Sequence, residues 1–452
     1  MRGRTNYTGG AMPVINGTLE EYEVAEGHVV NKGDFVQFTA QSDLKVINNT
    51  NVYGKVQKMK VSDGIFLLNY NGGSNPNYTR LVYLVSFIEG FKILDSIVLK
   101  LNNTYSRDAT LVEYNGKFYA IQGGDSPCVV EISVVDNKLV IEEKCSASNY
   151  QGLCIWRDKL IAIMVGDPDN FDARISYEVF RIESNGDVVK VNNGTTYGYK
   201  VNKSNFYPCW KAVNGYIYAS GTYGSSNSYY AMQMYFYFDY NTNILTYKDG
   251  FSGNTTSNEL LSGFEDCVDD GFLFTVINGD GPLGELKIMA TNEFMSVVAQ
   301  YNFDKKHSTN LSLLKSGLCK VNDYVVLMYS RYVSSSSSTL TPFVFELLEL
   351  DKSSGYLTKV QELQVTVKEL GIVDYKNLYG FVGYYYNGKI YCFCSYYAGS
   401  QYFFSLITLK LMNGNLLFES AIKIKPYDGS GFALGFSNQN GNAGDVIGVY
   451  VP

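Results

Sequence analysis

The sequence has few of the residue types on which most enzyme mechanisms depend. Only 2 of its 452 residues are histidines, His28 and His307, and only 2 are tryptophans. Nucleophilic and proton-transfer mechanisms commonly need an imidazole held beside a hydroxyl, a thiol or a carboxylate. Neither histidine lies within a recognisable group of acids. We therefore expect no catalytic residue.

Positive charge is also scarce. The net charge is −7, and the longest run of basic residues is the pair Lys305 and Lys306. Proteins that bind nucleic acid carry a basic patch or stripe. The sequence therefore predicts that nucleic acid is not a partner.

Long apolar stretches are missing. A membrane-spanning helix needs about 20 consecutive apolar residues, and no stretch approaches that length. The first residues, Met1 to Asn6, are not followed by the apolar segment of a secretory signal. We therefore expect the protein to be made in a cytoplasm, and we expect no insertion into a membrane.

The residues that are abundant suit an all-β protein. The chain contains 43 glycines and 39 tyrosines but only 9 prolines. A short turn followed by an apolar run recurs seven times, at intervals of 42 to 65 residues. The turns are Asp63-Gly64, Asn115-Gly116, Arg157-Asp158, Asn214-Gly215, Asp270-Gly271, Asn322-Asp323 and Asn387-Gly388. Asn-Gly and Asp-Gly are the preferred dipeptides of two-residue hairpin turns.

Each turn precedes a strand of β-branched and aromatic residues, for example Tyr216–Ala219. A third run follows, such as Phe343–Leu350, and then a second turn and a more polar strand such as Leu357–Val365. Four antiparallel strands in about 50 residues are typical of one blade of a β-propeller. The sequence predicts seven blades over residues 54–424. The alternatives are a β-helix or an array of sandwiches.

The layout resembles kelch-like and WD-like propellers. Within the repeat, the double glycine of kelch repeats occurs only at Gly72-Gly73 and Gly123-Gly124, and Trp-Asp dipeptides are missing. The pattern therefore favours the architecture but neither of these families.

Both chain ends lie outside the repeat. Residues 1–50 and 425–452 each contain a Gly-Asp pair followed by apolar residues, at Gly33-Asp34 and Gly444-Asp445. The first and last blades of a closed propeller are neighbours, so the two ends can meet. We expect them to form one small β-barrel, with the propeller as a long insertion. The alternative is two separate tails.

The terminal segments resemble a known class of modules. The N-terminal part of the resemblance is Val-Ala-Glu-Gly at residues 24–27 with Gly-Asp-Phe-Val at 33–36. The C-terminal part is Gly-Phe-Ala-Leu at 431–434 with the end of the chain. Together they are similar to small β-barrels of tailed-phage and prophage virion proteins. Capsid cement, or decoration, proteins are the nearest match. The resemblance implies that Val24–Phe38 and Phe432–Val451 act in assembly.

Three other groups of residues suggest a site. Gly279–Gly284 has the G-x-G-x-x-G spacing, but Glu285–Ala290 is typical of a strand, where a dinucleotide site needs a helix. Asp167–Asp172 with Glu178 is similar to a calcium loop, but Phe171 replaces a ligand. The acids Glu265, Asp266, Asp269 and Asp270 are typical of a solvated turn. We predict no metal ligand and no cofactor.

Cysteines and tyrosines complete the candidates. Cys154, Cys267 and Cys319 share one position, three residues before the turn of their repeats, which predicts reduced thiols packed near the propeller axis. Tyr223 and Tyr397 are expected at loop tips, where tyrosine can contact a sugar or a protein.

The leading hypothesis is therefore a non-enzymatic bacteriophage virion protein of the capsid, neck or tail. The terminal barrel would bind other virion proteins as part of a homo-oligomer, and the propeller would offer its loop face to a host-surface glycan or to neighbouring subunits. Localisation in the virion follows from this hypothesis. The alternatives are a free carbohydrate-binding propeller and a glycan-cleaving enzyme that uses Asp266 or Asp269.

Overall fold

A computed structural model describes most of the repeat and parts of both ends. The described residues are 18–24, 29–32, 35–38, 44–46, 52–72, 79–88, 92–100, 111–123, 126–148, 152–165, 173–198, 209–225, 228–255, 262–265, 272–277, 283–290, 297–304, 316–330, 342–366, 375–398, 401–424, 435–437, 439–442 and 445–451. Over these ranges the protein is all-β and contains no helix, so none that could cross a membrane.

The N-terminal strands are β1 (Thr18–Glu23), β2 (Val29–Val30), β3 (Phe35–Phe38) and β4 (Leu44–Val46). Seven four-stranded sheets follow within the described residues, each antiparallel and each formed by four consecutive strands. We number them sheets 1 to 7.

Sheet 1 contains β5 (Val52–Ser62), β6 (Ile65–Gly72), β7 (Thr79–Ser86) and β8 (Lys92–Lys100). Sheet 2 contains β9 (Val112–Tyr114), β10 (Lys117–Gln122), β11 (Cys128–Val135) and β12 (Lys138–Ser146). Sheet 3 contains β13 (Gly152–Trp156), β14 (Lys159–Val165), β15 (Ala173–Ile182) and β16 (Val188–Gly198). Sheet 4 contains β17 (Cys209–Val213), β18 (Tyr216–Ser225), β19 (Ser228–Asp239) and β20 (Ile244–Thr255).

Sheet 5 contains β21 (Ser262–Glu265), β22 (Phe272–Ile277), β23 (Leu283–Ala290) and β24 (Val297–Asp304). Sheet 6 contains β25 (Ser316–Val321), β26 (Tyr324–Ser330), β27 (Pro342–Leu350) and β28 (Leu357–Thr366). Sheet 7 contains β29 (Tyr375–Tyr386), β30 (Lys389–Ala398), β31 (Gln401–Met412) and β32 (Asn415–Ile424). The C-terminal strands are β33 (Gly435–Ser437), β34 (Gly441–Asn442) and β35 (Val446–Val451).

The predicted turns join the first two strands of their sheets. Three of the Asn-Gly pairs, at residues 115–116, 214–215 and 387–388, have positive φ at both positions, as a type I′ turn requires. The described turns are not all of this type. Only Gly64 of the first pair is positive, and the turns at 157–158 and 322–323 are positive only at Arg157 and Asn322. The turn at 270–271 lies outside the described residues.

Every one of the seven sheets has an irregularity that the sequence did not predict. The pairing of the third strand with the fourth shifts register once in each sheet, at Leu84/Val85, Val129/Val130, Val179/Phe180, Tyr235/Phe236, Ile288/Met289, Leu347/Leu348 and Thr408/Leu409. A β-bulge bends its strand and increases the local twist. The recurrence of this bulge shows that the seven units are alike in backbone geometry as well as in strand order.

Each sheet packs its apolar face against a neighbouring sheet. Buried clusters join sheets 1 and 2 around Leu84 and Phe118, sheets 2 and 3 around Tyr119 and Phe180, and sheets 3 and 4 around Ile161. Further clusters join sheets 5 and 6 and sheets 6 and 7. First strands β17 and β21 bring sheets 4 and 5 together.

Sheet 7 also packs against sheet 1, which is the most distant in sequence. The Phe66 and Tyr384 rings meet with centroids 4.7 Å apart, and the Phe87 and Tyr391 rings stack at 3.9 Å. The first strands β29 and β5 are in contact. The fold is therefore propeller-like, with each sheet beside the next and the last beside the first.

The chain ends pair with each other. Strand β1 is antiparallel to β35 with Thr18 opposite Val451, and the five-stranded sheet has the order β1-β35-β33-β3-β4. A short ladder joins β2 to β34. The two termini therefore share one sheet, which we call the terminal sheet, and are not separate tails.

The strands of each sheet end on two opposite sides of the propeller-like body, and we call these sides its edges. The first-to-second and third-to-fourth turns share one edge, the turn edge, and most of these turns are short. Each first strand begins, and each fourth strand ends, at the opposite edge, the loop edge. Strand β5 starts at the loop edge and β32 ends there, so both connections to the terminal sheet leave the propeller-like body from that edge.

Candidate functional site

One turn departs from the pattern of the others. The non-glycine residues with positive φ in the described part of the chain are asparagines and aspartates, except for Arg157 at 54°. Positive φ is uncommon outside glycine, asparagine and aspartate because the Cβ crowds the backbone. Arg157 occupies the first position of the turn between β13 and β14, with Trp156 opposite Lys159 at its base. Such an outlier marks a position where the side chain can have a role.

Aromatic rings hold the Arg157 side chain. Its Cζ atom lies 5.0 Å from the Tyr240 ring centroid and 5.7 Å from that of Trp156. Both distances are within the range of cation–π attraction. Tyr240 is fixed in turn, because its hydroxyl donates a hydrogen bond of 2.6 Å to Asp158 Oδ1. That bond, followed by burial, raises the pKa of Tyr240.

The neighbouring charges are paired among themselves. Lys159, which is buried, lies with its Nζ 3.7 Å from Asp158 Oδ2 and 5.2 Å from the Tyr240 ring centroid. Arg181 donates from Nε to Glu183 at 2.7 Å. No carboxylate of the described residues forms an ion pair with the exposed Arg157 guanidinium. We call Trp156, Arg157, Asp158, Lys159 and Tyr240 the turn-edge cluster.

A second aromatic group lies in sheet 4. Tyr216 and Tyr218 of β18 are beside Tyr235 and Tyr237 of β19, with neighbouring ring centroids 5.5 to 6.4 Å apart. Exposure rises from 1% at Tyr218 to 39% at Tyr237, where Lys248 Nζ lies 5.5 Å from the ring centroid. These rings pack against one another within sheet 4, and the group has one exposed end.

Buried glutamates have structural partners. Glu131 accepts hydrogen bonds from Lys117 at 2.6 Å and Tyr119 at 3.2 Å. Burial alone would raise its pKa, but the lysine hydrogen bond and the nearby Lys144 outweigh this effect and lower the pKa below 4.5. Glu346 accepts from Tyr301 and Tyr329, on sheets 5 and 6, and from Lys359. Burial, followed by the Glu346 charge, raises the Tyr301 pKa strongly.

The calcium-loop candidate loses one of its acids. Glu178 lies on β15, where its carboxylate accepts hydrogen bonds from Ser148 N at 3.1 Å and from Lys190. It therefore links sheets 2 and 3. Residues 167–172 lie outside the described residues. Within the described ranges no group of three or more histidine, cysteine or acidic residues is arranged to hold a metal ion.

The other candidate sites also include some residues that the structure describes and some that it does not. The segment after Gly284 is strand β23, as predicted, and not the helix that a dinucleotide site requires. Glu265 is the last residue of β21. The histidines and the remaining acids of that group, Asp266, Asp269 and Asp270, lie outside the described residues.

The placement of two tyrosines at loop tips is wrong. Tyr223 pairs with Tyr230 in the β18–β19 hairpin, and Tyr397 pairs with Tyr402 in the β30–β31 hairpin. Both strands extend further than the sequence pattern indicated. These two tyrosines therefore belong to the sheets rather than to connecting loops.

The cysteines are packing residues where they are described. Cys154 and Cys319 are buried on the first strands of sheets 3 and 6. Burial raises the pKa of Cys154 strongly and raises that of Cys145 to about 11. Thiols of this kind are poor nucleophiles, because the thiolate is the reactive form.

The turn-edge cluster was missed by sequence reasoning, although a signal was present. Arg157 stands where the other turns carry asparagine or aspartate, and the preceding residue is one of the 2 tryptophans. The contribution of Tyr240 could not be found in this way, because it comes from the neighbouring sheet.

Comparisons with known proteins find distant structural similarity only. No protein-family model matches the chain, and no curated protein matches it significantly. The chain is similar to solved structures assigned as 6-phosphogluconolactonases from Bacteroides uniformis and Bacteroides fragilis, each at 10% identity. The first match covers 76% of this chain and 92% of the other, with a TM-score of 0.46, and the second covers 81% and 97%, with a TM-score of 0.48. The polysaccharide lyase Uly1 matches with 10% identity, coverage of 87% and 99%, and a TM-score of 0.39. At these values the comparisons carry no argument about the fold or the activity of this chain.

Proposed function

We propose that this chain is a non-enzymatic bacteriophage virion protein that displays a propeller. The observation that carries the proposal is the pairing of β1 with β35. It brings together the two terminal segments that resemble phage β-barrel modules. The terminal sheet is then the anchor, and the body between its halves is the displayed part.

We infer the complete architecture from the same contacts. The seven sheets close into a seven-bladed β-propeller of residues 54–424, supported by the contacts between sheets 7 and 1. Residues 1–50 and 425–452 close a small β-barrel, supported by the presence of N-terminal and C-terminal strands in one sheet. Neighbouring copies and other virion proteins bind through the barrel, in the capsid, the neck or the tail.

The anchor role is tested by deletion in the phage. Removal of residues 1–50 takes away β1 to β4 and leaves β35 paired with β33 alone. The truncated protein is expected to stay folded through its seven sheets and to be missing from purified particles. Circular dichroism reports folding, and immunoblotting of particles reports incorporation. Normal incorporation of a folded truncated protein would refute the anchor role.

The second candidate is a free carbohydrate-binding propeller, favoured by the exposed cation and aromatic rings of the turn-edge cluster. It differs from the first candidate in location, since a free lectin stays in the soluble fraction when particles are sedimented. Fractionation of a lysate followed by immunoblotting separates the two.

A further inference from the structure

The turn-edge cluster presents a fixed cation at the surface. Most exposed arginines lose side-chain entropy when they bind a ligand, which reduces the affinity. Arg157 is already positioned by the rings of Trp156 and Tyr240. Its planar group carries five N–H donors in a fork that matches a carboxylate.

The surrounding charges leave this cation available. Asp158 lies next to Lys159 and accepts the Tyr240 hydrogen bond, and Glu183 is paired with Arg181. Arg157 is exposed, whereas the side chain of Lys159 is only 7% exposed. A ligand would therefore meet one unpaired cation, with Arg181 nearby but paired with Glu183, and not a basic patch.

The whole chain has a net charge of −7, so a densely charged polyanion is repelled at long range. A polymer with isolated carboxylates between neutral units avoids this repulsion. Tryptophan and tyrosine beside the cation supply contact area for the neutral units. These features favour an acidic saccharide over a nucleic acid or a polyphosphate.

The chain path shows which way this cluster faces. Val46 at the end of β4 and Val52 at the start of β5 are six residues apart, a reach of at most about 20 Å. Strand β5 then runs for 11 residues, about 36 Å, to the turn edge. The terminal sheet is therefore nearer the loop edge, and the turn edge is directed away from it.

We propose that Arg157, supported by Trp156 and Tyr240, binds the carboxylate of an acidic saccharide on the host surface. The proposal rests on the proposed function for its biological setting and names the ligand class. It places the binding surface on the turn edge, in contrast to the loop face expected from the sequence.

The test is calorimetric titration of the full chain with uronate-bearing oligosaccharides. Their carboxyl-reduced counterparts differ only in having a neutral alcohol in place of the acid, and phosphorylated counterparts form a third arm. Binding of the uronates with at least about tenfold preference over the reduced forms is expected, in line with the strength of charge-assisted hydrogen bonds. Equal binding of the reduced forms, binding of the phosphorylated forms alone, or no binding in any arm overturns the proposal.

Two variants locate the binding. Arg157→Asn removes the guanidinium but introduces asparagine, a residue that has positive φ at seven other described positions, so the turn should be preserved. It is expected to lower uronate affinity about tenfold or more. Arg181→Gln removes a nearby cation that is already paired with Glu183 and should change affinity less than about twofold. Unchanged binding by Arg157→Asn contradicts the proposal.

The outcome is separable from the proposed function. The Arg157→Asn variant should still be incorporated into particles, since the terminal sheet is unaltered. Loss of glycan binding with normal incorporation supports both proposals. Absence of the wild-type protein from particles refutes the virion role, whatever the glycan result.

Discussion

The hydroxyl of Tyr384 donates a hydrogen bond of 2.9 Å to the backbone oxygen of Leu67, although the two residues lie 317 positions apart. Tyr384 is on the first strand of sheet 7 and is 1% exposed, and Leu67 is on the second strand of sheet 1. A contact between the last and first sheets is what ring closure requires. The stability of this contact is therefore a test of the architecture.

Replacement of Tyr384 by phenylalanine removes this hydrogen bond and little else. The free energy of unfolding is expected to fall by about 1 kcal/mol, a typical net contribution of one buried hydrogen bond. Urea denaturation measures the change. Tyr391→Phe is the matched control, because Tyr391 stacks on Phe87 in the same interface and its hydroxyl has no hydrogen-bond partner among the described residues. An equal decrease in the free energy of unfolding of both variants would show that the hydrogen bond to Leu67 adds nothing to stability.

Replacement of Glu346 by alanine breaks a link between sheets 5 and 6. Glu346 is 1% exposed and accepts hydrogen bonds from Tyr301 at 2.8 Å and Tyr329 at 3.1 Å. Loss of a buried charge with its partners left behind costs about 3 kcal/mol. Glu362→Ala is the control. It removes the other carboxylate bound to Lys359, is more exposed, and should cost less than about 1 kcal/mol.

Thermal unfolding of the two variants provides the comparison. A similar melting temperature for Glu346→Ala and the wild-type protein would contradict the assignment of Glu346 as an intersheet link.

Acidification should lower the free energy of unfolding, because Glu131 becomes protonated. Its folded-state pKa lies below the usual 4.5, so its stabilising effect is complete above that value and is lost as the pH falls through the folded-state pKa. Glu131→Gln resembles the protonated acid. The stability difference between wild type and this variant should therefore shrink below about pH 4.5.

Denaturant titrations at a series of pH values measure that difference. Asp63→Asn is the control, since the Asp63 side chain is 83% exposed and forms a surface ion pair with Lys60. A constant difference between wild type and Glu131→Gln across the acid range would exclude the proposed role of Glu131.

Gly383 is expected to tolerate no side chain. A Cβ atom at this position would lie 2.6 Å from the Cβ of Cys319, on the first strand of sheet 6. Gly383→Ala should cost about 1 to 3 kcal/mol through overpacking. Addition of Cys319→Gly removes the clashing atoms and should restore part of the loss, as a double-mutant cycle would show. Failure of this rescue would mean that the two first strands are not in close contact.

The repeat was predictable because it depends on local chemistry. The Asn-Gly pairs at 115–116, 214–215 and 387–388 fix hairpins by their tolerance of positive φ, and the apolar runs after them can only be buried strands. Strand order within a sheet follows from short connections. The recurring bulge at positions such as Leu347/Leu348 was not predictable, because no residue type distinguishes it in the sequence.

The candidate site was harder to predict. Trp156 and Arg157 are adjacent in the sequence, but Tyr240 reaches them from the next sheet, and Asp158 becomes its acceptor only after the sheets pack. The structural role of the buried Glu178 was missed for the same reason. Its partners Ser148 and Lys190 lie 30 and 12 residues away, so the sequence showed only an acid near other acids.

Immunogold electron microscopy of purified particles, with an antibody raised against the recombinant protein, tests the central claim most directly. The account predicts gold label at one regular position on the particle, on the capsid, the neck or the tail. Unlabelled particles, with the antigen left in the soluble fraction of the lysate, would contradict the virion assignment and favour a free carbohydrate-binding protein.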